Sequence, residues 1–258
     1  EIAHLPHTFV QPRFGGVFLY HILYTMPCGS DICSPLGLII HDYVLSVRKE
    51  LINIDMVRPL ITLAIATTAS AALACTSLIA TPGATTDGSS IITYAADSHT
   101  LYGDLPYQPA ADHKKGEMRK IYDWDSGKYL GEIPEVAHTY GRMGNMNEHG
   151  LTITESTWGG RHELEGSGTI DYGSLIFIAL ERAKTAREAI KVMDELTKKY
   201  GYASEGESFS IADPNEVWIM EVIGKGKDDK GMVWVARRVP DGYISGHANH
   251  ARIHQFPL

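Results

Sequence analysis

The chain has 258 residues, 44% of them hydrophobic and 21% charged, which is the balance of an ordinary globular protein and excludes a disordered or fibrous one. A formal net charge of -8 without any Lys/Arg cluster excludes a nucleic-acid binder, which needs a concentrated basic face to neutralise phosphates. The length admits one large domain or two small ones.

Residues 1–55 carry no periodicity that explains them as a domain, and Pro6, Pro12, Pro27 and Pro35 break any long element, so they read as a translated segment upstream of the functional chain. Cys28 and Cys33 lie within it. With four residues between them and no second pair, they are poor evidence for zinc. Residues 56–74 then follow the order of a signal peptide: Met56 and Arg58 begin it, an apolar run rich in Ala and Thr fills it, and Ala72-Leu73-Ala74 offers small residues at a cleavage site. A buried Ala-rich helix is the alternative reading. The run is short of the roughly 20 strongly apolar residues a membrane span needs, so no stable span is expected in the mature chain. This reading implies export to a bacterial periplasm or the outside, a functional chain of residues 75–258, and Cys75 as its first residue and lone thiol. Such a thiol has no internal disulfide partner and is therefore reactive, lipidated or incidental.

From Cys75 the pattern is strand-like, with turns at Pro82-Gly83 and Thr86-Asp87-Gly88 before Ser-Ile-Ile-Thr-Tyr-Ala-Ala-Asp. Residues 99–135 form a longer polar connection with a short hairpin expected around Asp125-Ser126-Gly127, and such excursions often shape a cleft. A turn at Asn147–Gly150 precedes an alternating strand, Leu-Thr-Ile-Thr-Glu-Ser-Thr. Tyr172 to Tyr200 reads as two helices broken near Lys184-Thr185, where Thr185 and Glu188 form a capping-box pair. Strands are expected again at Ser208–Ala212, Val217–Val222 and Met232–Arg238. Strands, two helices, then strands favour an α+β fold with antiparallel sheet over a doubly wound one. There is no internal repeat, no Gly-x-Gly-x-x-Gly and no P-loop, and no cofactor is implied.

Cleavage after Ala74 would give Cys75 both a thiol and a free α-amine, and an amine titrating near 7.7–8.0 serves as a general base at neutral pH. The competing reading is a lipid-anchored, non-enzymatic protein. Against it, Ala72 rather than Leu stands three residues before Cys75, and no flexible Ser/Gly linker follows. Cys75-Thr76-Ser77, Thr86-Asp87-Gly88-Ser89-Ser90, Ile92 to His99, Gly144-Asn145-Met146-Asn147-Glu148-His149 and Thr157-Trp158-Gly159-Gly160-Arg161 together resemble the C69 dipeptidase family, itself similar to bile-salt hydrolases and penicillin V acylases.

The resemblance runs from Met56 to Leu258 and implies a four-layer αββα sandwich of the N-terminal-nucleophile hydrolases. It further implies that Cys75 attacks a peptide bond of a short peptide, that Asp97 holds the α-amine, and that Thr157 and Asn249 supply oxyanion donors. Tyr94 stands where the wider superfamily has an Arg, and its hydroxyl is left to donate a hydrogen bond in that role. A free substrate amine needs an acidic partner, for which Glu155 and Asp104 are candidates. An N-acyl amidase on the same nucleophile is the alternative within enzymes. His247, His250 and His254 lack a His-Glu-x-x-His pattern and are expected to line a cleft or the surface rather than bind metal. An oligomer is compatible with all of this. The domain also reads as unfinished at Leu258, with the expectation that the isolated 258-residue product folds poorly and turns over little substrate.

Overall fold

The computed structural model describes Val17–Tyr20, residues 75–96 and residues 105–255. The signal-peptide reading of 56–74, Cys28, Cys33, Asp97, Asp104 and all of residues 1–55 except that one strand lie outside the described residues. The described residues belong to one compact unit.

The order read from the sequence, strands followed by two helices and more strands, is the order observed. Val17–Tyr20 (β1) is followed by Cys75–Ala80 (β2) and Ser90–Ala96 (β3). Short strands come next: Tyr107–Gln108 (β4), Ala111–Asp112 (β5), Met118–Tyr122 (β6), Tyr129–Pro134 (β7), His138–Thr139 (β8), Arg142–Met143 (β9) and Met146–Asn147 (β10). Thr152–Gly159 (β11) leads to helices Tyr172–Arg182 (α1) and Ala186–Tyr200 (α2). Gly206–Ala212 (β12), Val217–Gly224 (β13), Met232–Arg238 (β14) and Ile244–Ala248 (β15) complete the described chain.

Seven strands form an antiparallel sheet in the order β14-β13-β12-β11-β10-β9-β4. Four form a second sheet, β1-β3-β2-β15, in which only the β1–β3 pair is parallel. The hairpin expected around Asp125 is β6–β7. The unforeseen strands are β1, β15 and the two-residue strands β4, β5 and β8 within and just after the polar connection.

Local chemistry sets the helix starts. The Asp171 carboxylate accepts the backbone N–H groups of Gly173 and Ser174 at the first turn of α1. Thr185 Oγ1 accepts Glu188 N at α2, and Glu188 reaches back to the N–H of Lys184, one residue earlier than an ideal capping box. Leu175, Ile178, Ile190 and Met193 then fall on the faces that pack against Ile153, Phe209, Ile211 and Met220 of the seven-stranded sheet. Alternation sends Ala212 to the opposite face of β12, where it joins Ile79, Ile92, Val217 and Ile219 in a second core between the sheets. Each such aliphatic side chain contributes roughly 1.5–3 kcal/mol when fully buried. The result is an α+β fold in which the described helices cover one face of one sheet, while Leu78 and Ile244 of the other sheet are exposed.

Candidate active site

Register brings the candidate residues to one place. Cys75 opens β2 and pairs with Ala96 at the end of β3, while Tyr94 pairs with Ser77. On the other flank of β2, Ala248 pairs with Thr76, so Asn249 leaves β15 beside Cys75. The second half of β11 supplies Glu155, Ser156 and Thr157, and Thr157 stands opposite Glu207 at the start of β12.

Asn249 adopts φ +50°, the left-handed region that asparagine tolerates better than most residues. That turn lets its side chain work in two directions. Oδ1 accepts the Cys75 N–H at 2.7 Å and Nδ2 donates to the Thr157 carbonyl. Ser156 Oγ donates to the Cys75 carbonyl at 3.1 Å and accepts the Asn249 N–H at 2.8 Å. The main chain of Cys75 is thus fixed from both sides.

The thiol lies half-buried, with Sγ donating to Glu155 Oε1 at 3.7 Å. Tyr94 donates its hydroxyl to the same oxygen at 2.5 Å. Thr157 Oγ1 lies 3.4 Å from Glu155 Oε2 and 2.9 Å from Glu207 Oε1. Glu155 and Glu207 are only 2% and 1% exposed. Burial, and then the adjacent Glu155 charge, push the Cys75 thiol up to about 12 and the Tyr94 phenol well above its ordinary range. The same two causes push the Glu207 carboxyl well above the usual carboxylate range. The backbone N–H of Thr157 acts the other way on the thiol, favouring its charged form.

Four sequence candidates, Cys75, Tyr94, Thr157 and Asn249, therefore share one site with Glu155. In this arrangement the Asn249 amide is engaged with Cys75 N and Thr157 O, and the Thr157 hydroxyl with Glu207. His247 is buried beside Ser210, with Nε2 and Oγ 3.4 Å apart, whereas His250 and His254 are exposed. Among the described residues, the His, Asp, Glu and Cys side chains spaced to share a metal are the exposed-to-intermediate trio His162, Glu165 and Glu205, which includes none of these three histidines.

Glu207 and Ser156 were not singled out by sequence. A signal existed for the first, a carboxylate opening an otherwise apolar and small-residue strand, Gly-Glu-Ser-Phe-Ser-Ile-Ala. Gly206 just before it is required by packing: a Cβ there would meet the Gly159 carbonyl at 2.6 Å and the Trp158 ring at 2.7 Å.

Fold and site define an α+β protein with a thiol-centred, acid-lined site at the common end of two sheets. The chain belongs to peptidase family C69, whose sequence model matches residues 104–258 and so includes Glu155, Thr157, Glu207 and Asn249. The probable dipeptidase of Latilactobacillus sakei is 28% identical over 202 residues, covering 70% of this chain and 40% of that protein. The probable dipeptidase A of Streptococcus pyogenes serotype M3 is 26% identical over 204 residues, covering 71% and 42%. The dipeptidase of Bifidobacterium longum is 35% identical over 97 residues, covering 37% and 17%. The chain thus spans about two fifths of the length of the first two relatives.

Proposed function

We propose that the chain belongs to an exported dipeptidase in which Cys75, freed by cleavage after Ala74, is an N-terminal nucleophile on the αββα scaffold of such hydrolases. The names of the relatives support the substrate class. The observation that carries the mechanism is that both functional atoms of Cys75 sit in one polar site, N against Asn249 Oδ1 at 2.7 Å and Sγ against Glu155 at 3.7 Å.

A thiol held near 12 supplies almost no thiolate at neutral pH, so the reaction needs a base next to it. As a free amine, Cys75 N would give one N–H to Asn249 Oδ1 and keep its lone pair for the thiol proton. Sγ then bonds to the substrate carbonyl carbon, the peptide C–N bond breaks, and the departing amine takes the proton back. Water, giving a proton to the same α-amine, splits the thioester and restores the thiol. The Thr157 backbone N–H and, once it turns from the Thr157 carbonyl, the Asn249 amide are the donors available to the developing oxyanion. Asp97, next in sequence after the strand partner of Cys75, keeps the amine-holding role that the family resemblance gives it.

The test compares dipeptide hydrolysis by chains that begin at Cys75 with chains whose leader is made uncleavable, where the nitrogen is an amide without a basic lone pair. Turnover should appear only in the first and vanish in Cys75→Ala. Equal rates from cleaved and uncleavable chains would remove the amine as base.

A further inference from the structure

We propose that Glu155 and Glu207 form a subsite for a primary ammonium group, and that the substrate's own free amine, by occupying it, makes the Cys75 thiol reactive. This rests on the reading of Cys75 as nucleophile.

Two carboxylates at 2% and 1% exposure need compensation. Among the described residues no Arg, Lys or His pairs with either, and Glu207 Oε2 has no hydrogen-bond partner at all. The Thr157 hydroxyl bridges the pair, but its single proton serves one carboxylate at a time. The Tyr202 hydroxyl, pushed well above the ordinary phenol range first by burial and then by the Glu207 charge, is likewise without a hydrogen-bond partner among the described residues. The site is rich in acceptors and short of a cation.

Position identifies which cation. In an unblocked peptide the amine nitrogen is two bonds from the carbonyl carbon, roughly 2.5 Å away. A carboxylate that receives that amine must therefore lie within a few ångströms of the attacking sulfur, as Glu155 Oε1 does at 3.7 Å. An ammonium offers three donors and suits several acceptor oxygens at once. The thiol and the two carboxylates are not spaced to share a metal ion, as His162, Glu165 and Glu205 are.

The coupling follows from charge. The groups facing the thiol are Glu155 on β11, Glu207 on β12, the Tyr94 hydroxyl on β3 and the Thr157 N–H, with Tyr172 and Asp125 acting on the carboxylates from farther away. The Glu155 charge opposes a thiolate, Glu207 adds to that opposition whenever it gives up its proton, and none of these groups is a cation. An ammonium between the carboxylates cancels that opposition and lets the thiol give up its proton more readily. An acylated amine brings no charge and leaves the opposition in place.

The experiment measures alkylation of Cys75 by iodoacetamide in the full chain at pH 8, read by peptide mass spectrometry so that Cys28 and Cys33 are counted separately. Ethylammonium chloride is compared with sodium chloride at equal concentration. Ethylammonium should accelerate alkylation by at least about threefold, since the rate follows the thiolate fraction. Glu155→Gln should be several-fold faster than the unaltered chain without any amine and should no longer respond to it. Glu207→Gln, one hydrogen bond farther from sulfur, should show the same loss of response, and carries the test where melting curves show that Glu155→Gln has unfolded.

An equal rate in the two salts, or slower alkylation in a folded Glu155→Gln, overturns the proposal; the latter makes Glu155 the acceptor of the thiol proton. In a second arm, with chains that begin at Cys75, alanylalanine should be cleaved and N-acetyl-alanylalanine spared. Equal cleavage of both overturns the subsite and leaves the hydrolase reading intact. No cleavage of either, with the ethylammonium response present, upholds the subsite and counts against the proposed function.

Discussion

Two groups of buried acids in this protein are treated in opposite ways. Glu135 and Glu181 are held among three arginines: Arg119 bonds to both, Arg142 reaches Glu181 at 2.8 Å, and Arg182 reaches Glu135 at 3.1 Å. Glu155 and Glu207 are at least as deeply buried and, among the described residues, meet only hydroxyls and a thiol. The first group ties the β6–β7 hairpin and β9 to α1, with the Arg142 guanidinium also stacked 4.0 Å over the Phe177 ring. Removing one member of such a network exposes the cost of the charges left behind. The second group has no such closure, and an uncompensated buried charge is what a binding or catalytic site retains.

The largest effect expected from this comparison is in the arginine network. Glu181→Ala leaves Arg119 and Arg142 without their shared partner in a buried setting and should lower unfolding stability by about 3–5 kcal/mol. Urea unfolding of the variant measures it. A loss below about 1 kcal/mol would mean that water compensates the arginines, and the contrast between the two groups would shrink accordingly.

A second effect comes from a buried base that neither group neutralises. His247 is pushed down to about 4, first by burial and then by the Arg252 charge. Its depressed folded-state value means that the unfolded chain binds the proton first, below about 6.5. Stability contributed by the neutral ring is complete above that value and should fall as pH drops from about 6.5 to 4, by about 3 kcal/mol in total. His247→Gln should flatten this part of the profile of melting temperature against pH.

How much of this was legible in the sequence follows from how local each cause is. The break between α1 and α2 was readable because Thr185 and Glu188 act within one turn. The β6–β7 hairpin was readable because its turn residues declare themselves. Strand β15 was not, because Ile-Ser-Gly-His-Ala has no strand-like alternation of its own. It is made by pairing with β2, where a Cβ on Gly246 would come within 2.7 Å of Leu78 Cδ2. Cys75 stood out as a lone thiol behind a small-residue box. Asn249 stood out only through the family resemblance, and its part in holding Cys75 N depends on a left-handed backbone that sequence does not show. Glu207 was invisible as a site residue because its partnership with Thr157 is a matter of strand register across 50 positions. Residues whose roles arise from neighbours in sequence are readable, and those whose roles arise from register are not.

The smallest expected effect is also the one that separates the two groups most cleanly. Glu207→Gln keeps shape and hydrogen-bonding capacity while removing the ability to carry charge beside Glu155. Because burial and Glu155 raise the Glu207 carboxyl in the folded state, the folded chain holds a proton that the unfolded chain releases. Stability is then full below the ordinary glutamate range near 4.3 and is lost as pH rises through the elevated folded value. Glutamine has no proton to release, so the variant should equal the unaltered chain near pH 4 and exceed it at pH 7. The opposite sign, a variant less stable at pH 7, would mean that a cation already neutralises Glu207 in the resting protein. A rise in stability with a fall in dipeptide turnover, carried by KM rather than by kcat, is the signature of a residue retained for binding at the expense of the fold.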